Sequence, residues 1–275
     1  GCASRRHQPV ANRIGQRFAE LRGAGRKGLI PCVTAGDPHP DWTVALMHAL
    51  VGAGADLLEL GVPFSDPMAD GPVIQRASER AIARGVGLRQ VLAMVRAFRE
   101  GDARTPVVLM GYLNPVEMYG YPRFLDDARA AGVDGVLLVD APPEESGELA
   151  PGLAAHDIAQ IVLVAPTTAD ERLLQSARAA RGFLYYVSFA GITGADRLAL
   201  DGVRERVERL QAAAGVPVAV GFGVKEPAQA AAIARFADAV VVGSALVEHM
   251  HNELAGERPR PPRAPRALRD QAVSA

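Results

Sequence analysis

The chain has 275 residues, enough for two small domains or for one α/β barrel, which typically needs about 250. Thirty Lys and Arg against 31 Asp and Glu leave a net charge of -1, which argues against nonspecific nucleic-acid binding and against an acidic disordered tail. Cys2 and Cys32 are the only cysteines, so no disulfide framework or zinc-ribbon spacing exists, and a reducing compartment, the cytoplasm, is expected. No apolar run approaches the roughly 18 residues of a membrane span, and GCASRRHQPV lacks an apolar signal core. From the missing initiator Met, a chain that was trimmed or expressed in an altered form is expected. Lys27 and Lys225 are the only lysines, which limits Schiff-base chemistry to two positions.

Residues 10–24 read as an extra helix ahead of the first strand, suited to plugging the bottom of a barrel. Eight apolar runs of strand length follow: 29–34, 57–63, 107–112, 135–140, 159–166, 183–188, 217–223 and 239–246. Between them, stretches such as DWTVALMHALVGAG and ERVERLQAAAG space apolar residues three and four apart and end at Gly, as helices do. The runs lie too far apart for hairpins and at the right distance for βα units. Eight such units predict an α/β fold, a (β/α)8 TIM barrel spanning the chain as one domain, with the site on the loops after the strands; an open doubly wound sheet is the competing architecture. From about residue 256, GERPRPPRAPRALRD is interrupted by proline and reads as a peripheral tail.

The stretch LLELGVPFSDPMADGPVIQ, residues 57–75, sets Glu59 inside an apolar strand. Alternation puts Glu59 on the face of Leu57 and Gly61, opposite Leu58, Leu60 and Val62. If the aliphatic set faces the helices, Glu59 points into a dry interior. Its pKa should then rise until it can give and take a proton near neutrality. Eleven residues on, Asp70 lies in the following loop, where it and Asp66 both have the choice of a ligand role or a helix N-cap. Glycines at the ends of three successive strands, in AGITGAD, GFGVK and GSAL, suit backbone contacts to a phosphate. Met110, Tyr112, Leu137, Val139, Tyr185 and Phe222 face inward by alternation and would line an apolar pocket, although Leu137 and Val139 taken alone read as core filling.

These residues resemble the tryptophan synthase alpha subunit family. IPCVTAGDP, LELGVPFSDPMADGPVIQ, MGYLNP, VDGVLLVDAP, GITGAD, GFGV and GSALV occur in order, between about Arg13 and about Val247. The resemblance implies a lyase that cleaves indole-3-glycerol phosphate to indole and glyceraldehyde 3-phosphate in tryptophan biosynthesis, with Glu59 and Asp70 as the catalytic acids. It implies phosphate contacts at Gly194, Gly223, Gly243 and Ser244, and substrate contacts at Ile74, Met110, Tyr112, Leu137, Tyr185, Thr193 and Phe222. By the same resemblance, Thr193 is expected to hydrogen-bond Asp70 when its loop shuts. The implied partner is a beta subunit holding pyridoxal phosphate, in an α2β2 heterotetramer; no cofactor, metal, nucleic acid or membrane is implied for this chain. Phe189 and Ala190 stand where some members carry polar residues, so loop closure is expected to differ. A stand-alone indole-3-glycerol phosphate lyase and a non-catalytic phosphate-binding barrel are the alternatives. A Schiff-base aldolase on Lys225 and a zinc aldolase on His249 and His251 have no further support in the sequence.

Overall fold

The computed structural model describes residues 12–142, 145–168, 170–187, 197–221 and 223–254. In chain order these form α1 (Arg13–Gly23), β1 (Gly28–Thr34), α2 (Thr43–Gly52), β2 (Leu58–Gly61), α3 (Pro72–Ala83), α4 (Leu88–Gly101) and β3 (Val107–Gly111). Then come α5 (Leu113–Tyr119), α6 (Tyr121–Ala131), β4 (Gly135–Leu138), α7 (Leu149–Ala155), β5 (Ala159–Val164), α8 (Asp170–Ala179) and β6 (Leu184–Val187). The chain continues through α9 (Arg197–Ala213), β7 (Val218–Gly221), α10 (Pro227–Ala234), β8 (Ala239–Val242) and α11 (Ser244–Leu254). All strands pair in parallel with their sequence neighbours, and β1 pairs with β8 as well as β2, so the sheet closes into a barrel and the open-sheet alternative is eliminated.

Every predicted strand is present, most of them shorter than the apolar run that announced it. The largest difference is at 239–246, where Gly243 ends β8 and Ser244 begins α11. Leu246, Val247 and Met250 are spaced for a helix face and are buried on it, which a run of apolar letters does not reveal.

Side chains alternate between two layers. Leu58, Leu60, Val107, Leu109, Val136 and Leu138 pack outward against the helices. Ile30, Leu57, Val108, Leu137, Ile161 and Tyr185 pack inside the barrel. Helix α1 adds Ile14, Phe18 and Leu21, at helical spacing, to this inner group and plugs the barrel's N-terminal end. Asn12 caps α1 by accepting from the Ile14 backbone N–H at 3.1 Å, and its Nδ2 donates to the Asp134 carbonyl at 2.9 Å and the Asp157 carbonyl at 3.2 Å, just ahead of β4 and β5. At the opposite end, the buried Asp37 carboxylate accepts from Arg80 Nε at 2.7 Å and Nη2 at 2.9 Å, which fastens the loop after β1 to α3.

Candidate active site

Strand β2 is four residues long and buried on both faces, so its one charged residue has no route to solvent along the sheet. Glu59 is 1% exposed and points into the barrel, as alternation predicts. Neither of its carboxyl oxygens has a hydrogen-bond partner. The Cys32 thiol lies alongside on β1, in register with Glu59, near enough to favour the anion weakly but without the geometry of a full hydrogen bond. Burial pushes the Glu59 pKa up from 4.5 to about 7; the thiol opposes this and the negative charge of Asp70 adds to it. A carboxyl poised there is close to half-protonated at neutral pH, which suits it to both directions of proton transfer.

Asp70 enters from the loop between β2 and α3. The residue that caps α3 is Gly71, so the N-cap reading of Asp70 is set aside. The Tyr112 hydroxyl joins two parts of this loop, donating to Asp70 Oδ2 at 3.0 Å and accepting from the Ala69 backbone N–H at 3.0 Å. Gln75 Nε2 holds the Asp70 carbonyl at 2.8 Å from the first turn of α3. Burial raises the Asp70 pKa and the Tyr112 hydrogen bond works against it. Asp66, the other carboxylate of the loop, is exposed and accepts from Ser65 Oγ at 3.0 Å. The fold thus separates two aspartates that loop position and capping rules alone left open.

Tyr112 stands just past β3, as the residue that precedes α5, and its ring lies 5.1 Å from that of Phe64. Its phenol is raised by burial and by the charge of Asp70, so it stays a donor. Tyr185 faces inward from β6. Burial and then the charges of Glu59 and Cys32 raise its phenol, which places it in the same electrostatic neighbourhood. A Cβ at Gly221 would lie 2.6 Å from the Tyr185 hydroxyl oxygen, so that glycine of the GFG stretch makes room for the ring.

The remaining predicted contacts divide. Met110 and Leu137 are register partners in the inner layer, Leu137 fully buried and Met110 partly so, and Val139 is partly buried beside them. Ile74, in the first turn of α3, is partly buried and packs against the outer-layer cluster. Gly223 has φ +71°, a conformation that favours glycine. Gly243 precedes α11 and its carbonyl accepts from the Leu246 and Val247 N–H groups; Ser244 is exposed at the first helical position, where N–H groups lack intrahelical partners. Thr193, Gly194 and Phe222, with Phe189 and Ala190, lie outside the described residues. Lys225 is exposed and its backbone N–H donates to Gln229 Oε1. No cluster of three or more potential metal ligands occurs among the described residues.

Two neighbours of the site carry no signal in composition. Cys32 is legible only through the register of β1 against β2, and Gly221 only through the ring it accommodates.

The family model for the tryptophan synthase alpha chain matches residues 18–267. The chain belongs to the tryptophan synthase alpha chain family. The alpha chain of Alkalilimnicola ehrlichii is 58% identical over 257 residues, covering 94% of this chain and 92% of that one. That of Laribacter hongkongensis is 61% identical over 239 residues, covering 87% and 90%. Among solved structures, tryptophan synthase subunit alpha from Legionella pneumophila superposes with a TM-score of 0.87 at 45% identity, covering 96% of this chain and 99% of that one. A chain of the tryptophan synthase of M. tuberculosis gives 0.84 at 38% identity, covering 96% and 98%. The closed eight-stranded parallel barrel is therefore the fold this chain shares with solved tryptophan synthase alpha chains.

Proposed function

We propose that this chain cleaves indole-3-glycerol phosphate to indole and glyceraldehyde 3-phosphate, with Glu59 as the proton-transfer residue and Asp70 as the electrostatic partner of the indole N–H. Breaking the bond between indole C3 and the glycerol carbon requires a proton on C3 and the loss of one from the adjacent hydroxyl. When C3 is protonated, positive charge spreads to the ring nitrogen, where an ionised Asp70 stabilises it. Removal of the hydroxyl proton lets the C–O electrons form the aldehyde while the C–C electrons return to the ring. One proton is delivered and one is collected, so a single carboxyl can do both and end as it began. The observation that carries this assignment is the position of Glu59, buried, unpartnered and close to half-ionised at neutrality beside Asp70. Tyr112 fixes Asp70 and, by donating to it, favours the anion that the ring nitrogen needs.

Backbone groups at Gly194, Gly223 and Gly243, with Ser244, are the proposed phosphate cradle. Met110, Leu137, Tyr185, Thr193 and Phe222 are the proposed surroundings of the indole. Ile74, in the first turn of the helix that follows the Asp70 loop, is a further proposed substrate contact. The proposed partner is a beta subunit carrying pyridoxal phosphate, in an α2β2 heterotetramer. Met68, in the loop after β2, and Met118, in α5 after β3, are 90% and 80% exposed, and exposed large apolar side chains near the catalytic end support a partner-facing surface there. A cytoplasmic site of action suits the free Cys32 thiol.

The test is release of indole by the purified chain with and without the beta subunit. Glu59→Gln is expected to abolish turnover while an unreactive phosphate ester of similar shape still binds. Wild-type turnover in that variant would remove Glu59 from the mechanism.

A further inference from the structure

On β1, Ile30 and Cys32 belong to the inner layer, and the β1–β2 register sets Cys32 directly beside Glu59. Cys32 also borders the other side of the site: a Cβ at Gly243 would lie 3.5 Å from Cys32 Cβ and 4.0 Å from its Sγ. The thiol therefore sits between the carboxyl group and the start of α11. Glu59, almost wholly buried, has two oxygens with no partner, and an ionised carboxylate there must find a donor. The groups that face it are Cys32 from β1, Asp70 from the loop above β2 and Tyr185 from β6; its register partner on β3 is the apolar Val108. Asp70 is negative and disfavours the anion, and the Tyr185 hydroxyl is set toward Gly221.

Resting on the assignment of proton transfer to Glu59, we infer that Cys32 is a positioning residue for the reaction: its S–H turns to one carboxyl oxygen when Glu59 ionises and leaves the other free for substrate. Burial and the adjacent Glu59 push the thiol's own pKa well up, so it remains an S–H donor rather than a thiolate nucleophile. A thiol is a weak donor, and the weakness matters. A strong donor would hold Glu59 as the anion and hinder delivery of a proton to C3. With no donor the carboxyl would hold its proton and hinder collection from the hydroxyl.

The experiment uses Cys32→Val, which removes the donor and keeps a branched strand residue, and Cys32→Ser, which keeps a donor, each assembled with the beta subunit. The protonated-carboxyl stretch of Glu59, identified as the infrared band lost in Glu59→Gln, is titrated in each, and the kcat–pH profile is recorded alongside. In Cys32→Val the midpoint should rise by about half a pH unit or more, the size expected for one lost weak hydrogen bond. In Cys32→Ser it should sit at or below wild type. The kcat limb that titrates with the band should follow it, with KM changing less than kcat. A band unmoved in Cys32→Val, or raised equally in both variants, overturns the inference and leaves the assignment of Glu59 standing. A band that shifts without the rate profile following overturns the proton-transfer role of Glu59 and, with it, the catalytic part of this inference.

Discussion

Replacing Glu59 by Gln should trade activity for stability, and the pH dependence of that trade isolates its cause. In the folded chain the carboxyl titrates near pH 7 because burial disfavours its charge, whereas unfolded it returns to about 4.5. Between these values the folded state holds more protons than the unfolded state, so stability falls as pH rises. Below the lower value both states are protonated and the group contributes nothing. Above the upper value the full penalty applies, which for a difference of this size is about 3 kcal/mol. Glu59→Gln cannot titrate, and whatever a buried amide without partners costs, it costs at every pH. The variant-minus-wild-type difference in unfolding free energy should therefore climb by about 3 kcal/mol from pH 4.5 to pH 8, over a constant offset. Urea unfolding followed by fluorescence of Trp42, the only tryptophan and a buried one, measures this at each pH. A difference that stays flat from pH 4.5 to pH 8 would refute the claim that Glu59 is held in the barrel as an uncompensated acid.

Two further outcomes follow from other parts of the structure. Asp134, 2% exposed, accepts from Arg13 Nη1 at 3.0 Å, Arg99 Nη2 at 2.7 Å and the Val107 N–H at 2.9 Å at the plugged end of the barrel. Asp134→Asn should lower unfolding free energy by about 3 kcal/mol, because two guanidinium groups lose their counter-charge, and should leave kcat unchanged at a temperature where the variant is folded; a urea midpoint within error of wild type would contradict this. Tyr112→Phe removes the hydroxyl that joins Asp70 to the Ala69 N–H, and kcat should fall by about tenfold or more, the worth of one hydrogen bond to a charged group. Steady-state indole release measures it, and an unaltered kcat would mean that Asp70 keeps its place and charge unaided.

How much of this was legible in the letters depends on which physical rule each residue obeys. The inward direction of Glu59 follows from a period of two within a single strand, and the order of strands and helices follows from apolar spacing, so both are local properties. The family likeness rests on short motifs in order along the chain, the longest within residues 57–75, and each is local in the same sense. Cys32 is different: it meets Glu59 only because two strands 27 positions apart pair in one register out of several, a choice made by barrel closure and the packing of every other strand. The setting of Ile74 is likewise tertiary, since its packing against the outer-layer cluster depends on how α3 lies on the barrel. Asp66 and Asp70 are the clearest case. They sit four residues apart in one loop, where position and capping rules leave both open and only the family likeness points to Asp70; what separates them physically is a phenol from the next βα unit that bonds Asp70 while Asp66 stays exposed. A motif can nominate the acids of a barrel site, but the choice between neighbouring acids is made by partners that other strands bring to the loop.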